Sequence, residues 1–362
     1  MAYGVINVEQ MTTQSGFTLG AGNASSFKNR IINGNMQIDQ RNAGSAVTLS
    51  VEKYAVDRFS SRAMTSTNST AQQSSTAPAG FNKSLLYTVG TGAVAASSDR
   101  NYIIQAIEGN NLSDLGWGTA SAQTVTFSFW VRSSITGTFG GAFSNSAQNR
   151  SYPYTYTISA ANTWEQKSVT IAGDTSGTWL TDNGAGVYVF FDMGSGATYL
   201  GTAGAWASAD YRGATGDTKL VATTGATFYV TGVQLEVGTV ATSFDYRPYG
   251  TELALCQRYL PAWSGSSGNQ DFCSAFNNTS TSTAYMLTHP VQTRVPPTGI
   301  SATGTFLLFA SNNAYTVTSL AFSRSSTGGT SLTGTITAGT AGAGGVGAGQ
   351  GTWNLYLTGC EL

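Results

Sequence analysis

Residues 232–260 read GVQLEVGTVATSFDYRPYGTELALCQRYL, and this stretch decides how the chain is organised. Val233, Leu235 and Val237 alternate with Gln234 and Glu236, the period-two pattern of a strand with one buried face. Arg247-Pro248-Tyr249-Gly250 follows as a turn, because proline fixes one φ and glycine frees another. Thr251 is placed to cap a short helix running to Leu260, with Glu252 in its first turn, Arg258 in its last and Pro261 as the stop. The segment closes one β unit and opens another, with Arg247, Pro248, Tyr249 and Gly250 as a rigid interdomain joint.

Composition agrees with two β units. A chain of 362 residues has room for two or three domains with proper cores. Charged residues make up 10% of it, against about 25% in ordinary globular proteins. Low charge with many small polar residues would suggest disorder, but 41% hydrophobic content with 17 Tyr, 17 Phe and 7 Trp argues against it. The formal net charge of −1, with no cluster of Lys and Arg, gives no field for nucleic acid. Cys256, Cys273 and Cys360 lack CxxC spacing, which speaks against a zinc site or a disulfide framework. No apolar run reaches the roughly 18 residues of a membrane helix, and the start, MAYGVINVEQ, lacks the basic and apolar regions of a signal peptide. The expectation is synthesis in a cytoplasm, without membrane insertion.

Working outward, Val125, Phe127, Phe129 and Val131 alternate with Thr126, Ser128, Trp130 and Arg132, a one-sided strand. Tyr154, Tyr156 and Ile158 alternate in the same way, and residues 187–191 (VYVFF) are apolar on both faces, as in a central strand. Short strands between Gly/Ser/Thr/Asn loops predict a jelly-roll β-sandwich over residues 29–250. A connecting helix over 251–261 and a smaller β-sandwich over 262–362 complete the all-β fold. In that last part, Val295-Pro296-Pro297-Thr298 must be a rigid non-helical connector. Residues 325–352, nearly all small, read as a long hairpin loop before the strand Trp353-Asn354-Leu355-Tyr356-Leu357. Residues 1–28, poor in core-formers, read as an arm held by a partner.

Two blocks carry a family resemblance. The first is NRIINGNMQIDQRN at 29–42 with YAVDRF at 54–59; the second is the pattern from Gln234 to Tyr259 quoted above. Together they resemble signatures of bacteriophage tail-fibre and related virion structural proteins, in which such blocks bracket a jelly roll similar to carbohydrate-binding modules. Residues 127–132 (FSFWVR) and 164–167 (WEQK) also look like that family. The resemblance implies a structural protein of a virion, and none of its motifs is catalytic.

The chemistry points the same way. The single histidine, His289, has no Cys or acidic neighbour in sequence and cannot form a metal centre or triad alone. Asp182, Asp192, Asp217, Glu165, Glu236 and Asp245 could supply the two acids of a glycosidase, but no spacing stands out. No cofactor is expected; a structural calcium is common in the resembled module class, but no spaced acidic loop supports it. Glycans are recognised by aromatic faces with polar side chains on the hydroxyls. Trp117, Trp179 and Trp206, in polar or Gly-rich loops, are the glycan-binding candidates, with core plug or subunit interface as the competing reading for each. Trp130 and Trp164, on strands, are assigned to sandwich packing. The expectation is a non-enzymatic homotrimeric tail fibre or fibre-like appendage, joined to other virion proteins by its arm and touching bacterial surface polysaccharide. A capsid-decorating, cement or head-fibre protein is the main alternative, and a glycan-degrading depolymerase the third.

Overall fold

The computed structural model describes residues 28–362 and two short antiparallel strands before them, Gln10–Thr12 and Thr18–Gly20. The rest of the expected anchoring arm lies outside the described residues. The chain divides into two compact units between Pro248 and Tyr249. Among the described residues no helix is long and apolar enough to cross a membrane.

The first unit is a jelly-roll sandwich of two six-stranded antiparallel sheets. In spatial order the first sheet holds Ser151–Ile158, Gly137–Asn145, Ala185–Asp192, Asn101–Glu108, Phe59–Ala63 and Lys53–Val56. The second holds Glu165–Ile171, Val125–Ser133, Thr227–Val237, Ser84–Thr88, Thr70–Ser74 and Val47–Thr48. Alternation builds the core: Phe127, Phe129 and Val131 point inward and meet Tyr154, Tyr156, Val189 and Phe191. Ring pairs such as Phe127–Phe143 (5.2 Å) and Phe129–Phe191 (5.0 Å) pack edge to face, as aromatic quadrupoles prefer.

The closing strand is not one-sided. Gln234 and Glu236 are each only 1% exposed, as buried as Val233 and Leu235 on the other face. They lie under a roof formed by the segment that follows this strand. Glu236 accepts hydrogen bonds from Thr242 N (2.8 Å), Thr242 Oγ1 (2.6 Å) and Gln234 Nε2 (2.8 Å), while Gln234 Oε1 accepts from Asp245 N (2.8 Å). The opening sequence block completes this clasp. Asn29 Nδ2 donates to Val233 O (3.1 Å), and its Oδ1 accepts from Ile31 N (2.9 Å) and Leu235 N (3.1 Å). The Arg247 guanidinium donates to the carbonyls of Asn29 and Ile31. Thus the two blocks, far apart in sequence, are hydrogen-bonded to each other. Burying so polar a face is tolerated because its groups are paired. Gly232 marks a bulge in this strand, with φ 61° and no room for a Cβ, which would fall 2.7 Å from Phe81 Cζ.

The second unit opens with the helix Tyr249–Gln257, which starts earlier and stops sooner than Thr251 and Leu260 would set it. Pro248 directly precedes it, and proline's fixed φ suits a helix start, so Thr251 lies inside the helix rather than capping it. Within the joint motif, Arg247 belongs to the first unit's clasp, whereas Tyr249 and Gly250 begin this helix and are exposed.

One continuous antiparallel sheet follows, ordered Asn313–Val317, Gly299–Ala310, Gly344–Thr358, Asn269–Asn277, Ser282–Thr288, Gly329–Thr335 and Ser319–Ser325. Ala262–Gly265 pairs with the far half of Gly344–Thr358. The two outermost strands are separated in sequence by Thr318 alone, so the sheet must curl until its edges approach. Its halves then sandwich a single core around Tyr285, Leu308, Leu332, Trp353 and Leu355.

Most of the stretch expected as a loop over 325–352 is strand, leaving 336–343 as the connection. Its glycines supply space for rings. A Cβ on Gly347 would lie 2.3 Å from Tyr285 Cδ1, and one on Gly349 would lie 2.1 Å from Trp353 Cδ2. His289 is structural here: Nδ1 donates to Thr327 O (2.9 Å), leaving Nε2 to accept from Thr330 Oγ1 (2.8 Å). Burial holds its pKa below the usual histidine value.

Two outcomes follow from these contacts. Asn29→Ala leaves three backbone groups unpaired in the interior and is expected to cost about 2–4 kcal/mol. Urea unfolding should show a lower midpoint with an unchanged slope, and an unshifted midpoint would count against the clasp. For His289, the folded state binds fewer protons than the unfolded chain near its ordinary pKa. Stability is therefore full above about pH 6.5 and is lost as pH falls toward the depressed folded value. Thermal scans of the whole chain between about pH 8 and pH 5 should show this loss and its attenuation in His289→Gln; identical profiles would contradict it.

Candidate functional site

The three loop tryptophans come together, but they face one another. Trp117–Trp179 (4.9 Å), Trp117–Trp206 (5.3 Å) and Trp179–Trp206 (5.2 Å) are all edge-to-face, and Tyr152 packs on Trp206 at 5.2 Å. Each indole N–H donates to a backbone carbonyl: Trp117 to Gln123, Trp179 to Ser176 and Trp206 to Ala172. Trp117 is buried, while Trp179 and Trp206 are half-buried and pack against the sandwich core. A cavity of about 30 Å³ beside Trp117 and Trp179, lined also by Leu112, Leu115 and Val187, has room for a water or two but not for a sugar ring. Trp117 is packed as a core plug, while Trp179 and Trp206 keep part of their surface accessible.

Of the acids, Asp192 and Asp217 meet. Lys219 Nζ lies 3.6 Å from Asp192 Oδ2 and is bonded to Asp217. Burial, reinforced by the charge of Asp192, pushes the Asp217 carboxyl well above the usual range. Both side chains are buried, and Asp192 also accepts from Ser195 N at 2.9 Å, so the pair faces the protein interior. The other acids serve local structure. Glu165 accepts from Ser159 N and Ala160 N, Asp182 accepts from Gly184 N, and Glu236 and Asp245 belong to the clasp. Among the described residues no group of three His, Cys, Asp or Glu side chains is placed to hold a metal ion.

The outer face of the first sheet carries Tyr102, Ile104 and Phe190, but it is closed over. Arg212 lies with its guanidinium carbon 4.3 Å from the Phe190 ring centre, Tyr199 packs beside it, and Tyr102, Phe190 and Tyr199 are all buried.

The outer face of the second sheet carries Trp130, Arg132 and Tyr229, all partly exposed. In register, Trp130 sits between Gln166 and Thr231, and Arg132 sits opposite Tyr229, whose other neighbour is Leu86. Trp164, just before the edge strand, approaches Tyr229 edge-on at 6.0 Å. The Arg132 guanidinium carbon lies 5.1 Å from the Tyr229 ring centre, and its Nε donates to Asn162 O at 2.9 Å. All four side chains are half-buried, like Trp179 and Trp206, but none of them packs against the sandwich core, and Gln166 is exposed beside them. Phe81, Phe244 and Tyr246 extend the aromatic surface as a second packed group. The assignment of Trp130 and Trp164 to sandwich packing is therefore corrected. The signal lay in the sequence: if Phe127 and Phe129 point inward, alternation must point Trp130 outward. Such a strip can stack apolar C–H surfaces and bond hydroxyls or acids through Arg132 and Gln166.

No family profile matches this sequence, and no curated protein matches it. Among solved structures, the chain is similar to the enzymatically active domain of tailspike protein 4 from bacteriophage CBA120. Identity is 12% and the TM-score 0.31, over 59% of this chain and 22% of that one. It is similar to a CBM4 structure at 13% identity and TM-score 0.29, over 57% of this chain and 98% of that one. A third is a family 11 carbohydrate-binding module from Clostridium thermocellum, in complex with a β-1,3-1,4-mixed-linked tetrasaccharide. Here identity is 11% and the TM-score 0.28, over 56% of this chain and 100% of that one. Likeness at this level fixes neither ligand nor activity.

Proposed function

We propose that the chain is a non-enzymatic structural component of a phage virion, a trimeric tail fibre or fibre-like appendage that contacts host surface glycans. The glycan contact rests on one observation: Trp130 and Trp164 stand partly exposed beside Tyr229 on the outer face of the second sheet, away from the core against which Trp179 and Trp206 pack. Rings held by a rigid sheet stack on pyranose faces with little entropy lost on binding. The virion role rests on the two sequence blocks, whose side chains and backbone join in the clasp.

Trimer formation is supported by the second unit. Phe276, Met286 and Val346 are exposed on adjacent strands, with Met286 and Val346 both opposite Ser274. An apolar stripe on a chain with few charges suits burial between copies.

The test uses the soluble full chain against polysaccharide extracted from host envelopes. Trp130→Ala with Trp164→Ala should weaken binding by about ten-fold or more while leaving circular dichroism unchanged. Undiminished binding would remove the strip as the contact surface, and a light-scattering mass of one chain would remove the trimer.

A further inference from the structure

Arg132 is the unusual member of the open strip. Its Nε is fixed by Asn162 O at 2.9 Å, and its guanidinium carbon lies 5.1 Å from the Tyr229 ring centre. Among the described residues no hydrogen bond or ion pair engages its two terminal nitrogens. Nor does a neighbouring acid compete for them. Glu165, on the adjoining strand, pairs with Lys167 at 2.6 Å and caps Ser159 and Ala160, and Glu236 is held in the clasp. A guanidinium already ordered at one edge, with the other fork open, is a bidentate receptor for a carboxylate.

Distance supplies the second part. Residues two apart on one face of a strand are separated by about 6.8 Å, so Trp130 and Arg132 stand roughly one sugar ring apart. A hexuronate stacked on Trp130 carries its carboxylate on the ring edge, one same-face strand step from Arg132. We infer that the ligand of this strip is an acidic polysaccharide, its carboxylate bound by Arg132 while its ring stacks on Trp130. This rests on the reading of the strip as a glycan contact. It adds a ligand class that neutral hexose chains do not satisfy, since they offer the fork no charged acceptor.

Polygalacturonate, hyaluronan and polysialate, each beside its carboxyl-reduced neutral counterpart, form the test panel for titration with the soluble full chain. At least one acidic polymer should bind about ten-fold more tightly than its reduced form. Arg132→Gln should erase that difference and leave the affinity for the reduced form unchanged, while Arg132→Lys should keep part of it. Circular dichroism checks that both variants fold, and the lysine variant carries the test if the glutamine variant does not. Equal binding of acidic and reduced polymers, with both lost in Trp130→Ala, would overturn the acidic preference and leave the glycan contact standing. Absence of binding to every polymer would overturn both.

Discussion

The first unit depends on how it handles a buried polar strand face. Gln234 and Glu236 lie on the side of the closing strand that points away from the apolar core, yet water does not reach them. An unpaired carboxylate in such a place would be severely destabilising. The chain meets the constraint by folding the segment after the strand back over it, so that Thr242 and Asp245 supply hydrogen-bond partners. Asn29 and Arg247 then tie the beginning of the unit to its end. The clasp thus answers the strand's own polarity, and it adds hydrogen bonds to the apolar contact that Ile31 and Met36 already make with the core shared by Val233 and Leu235.

The same constraint positions the open strip. The roof covers one half of the second sheet's outer face, burying Thr126 and Ser128 with Gln234 and Glu236. Beyond the bulge at Gly232 the same strands carry Trp130, Arg132 and Tyr229, which are only partly buried. Small polar residues therefore lie where another segment must pack, and large aromatics lie where none does. Surface aromatics on a rigid sheet have few conformations to lose, which suits a recognition surface.

Much of the fold was legible from periodicity. Inward alternation at Phe127, Phe129, Tyr154 and Tyr156 depends only on side chains pointing to opposite faces, and the core follows it. Burial of Gln234 and Glu236 was not legible, because it depends on a roof whose partners are tertiary. The glycines around Gly347 and Gly349 read as a loop, since composition does not reveal that Tyr285 and Trp353 fill the vacant space. For Trp117, loop position was a poor guide to exposure. Trp117, Trp179 and Trp206 satisfy their indole N–H groups on nearby carbonyls and turn their faces on one another. Register and alternation, applied strictly to Trp130, point to the surface that loop composition missed.

Under the proposed function, glycan meets the outer face of the second sheet and not the tryptophan cluster. Oxidative footprinting by mass spectrometry, with and without bound host polysaccharide, reads each tryptophan separately. Trp130 and Trp164 are expected to be oxidised in the free protein and protected by ligand, with Trp117 slow throughout. Protection confined to Trp179 and Trp206, with Trp130 and Trp164 unchanged under saturating polysaccharide, would contradict it.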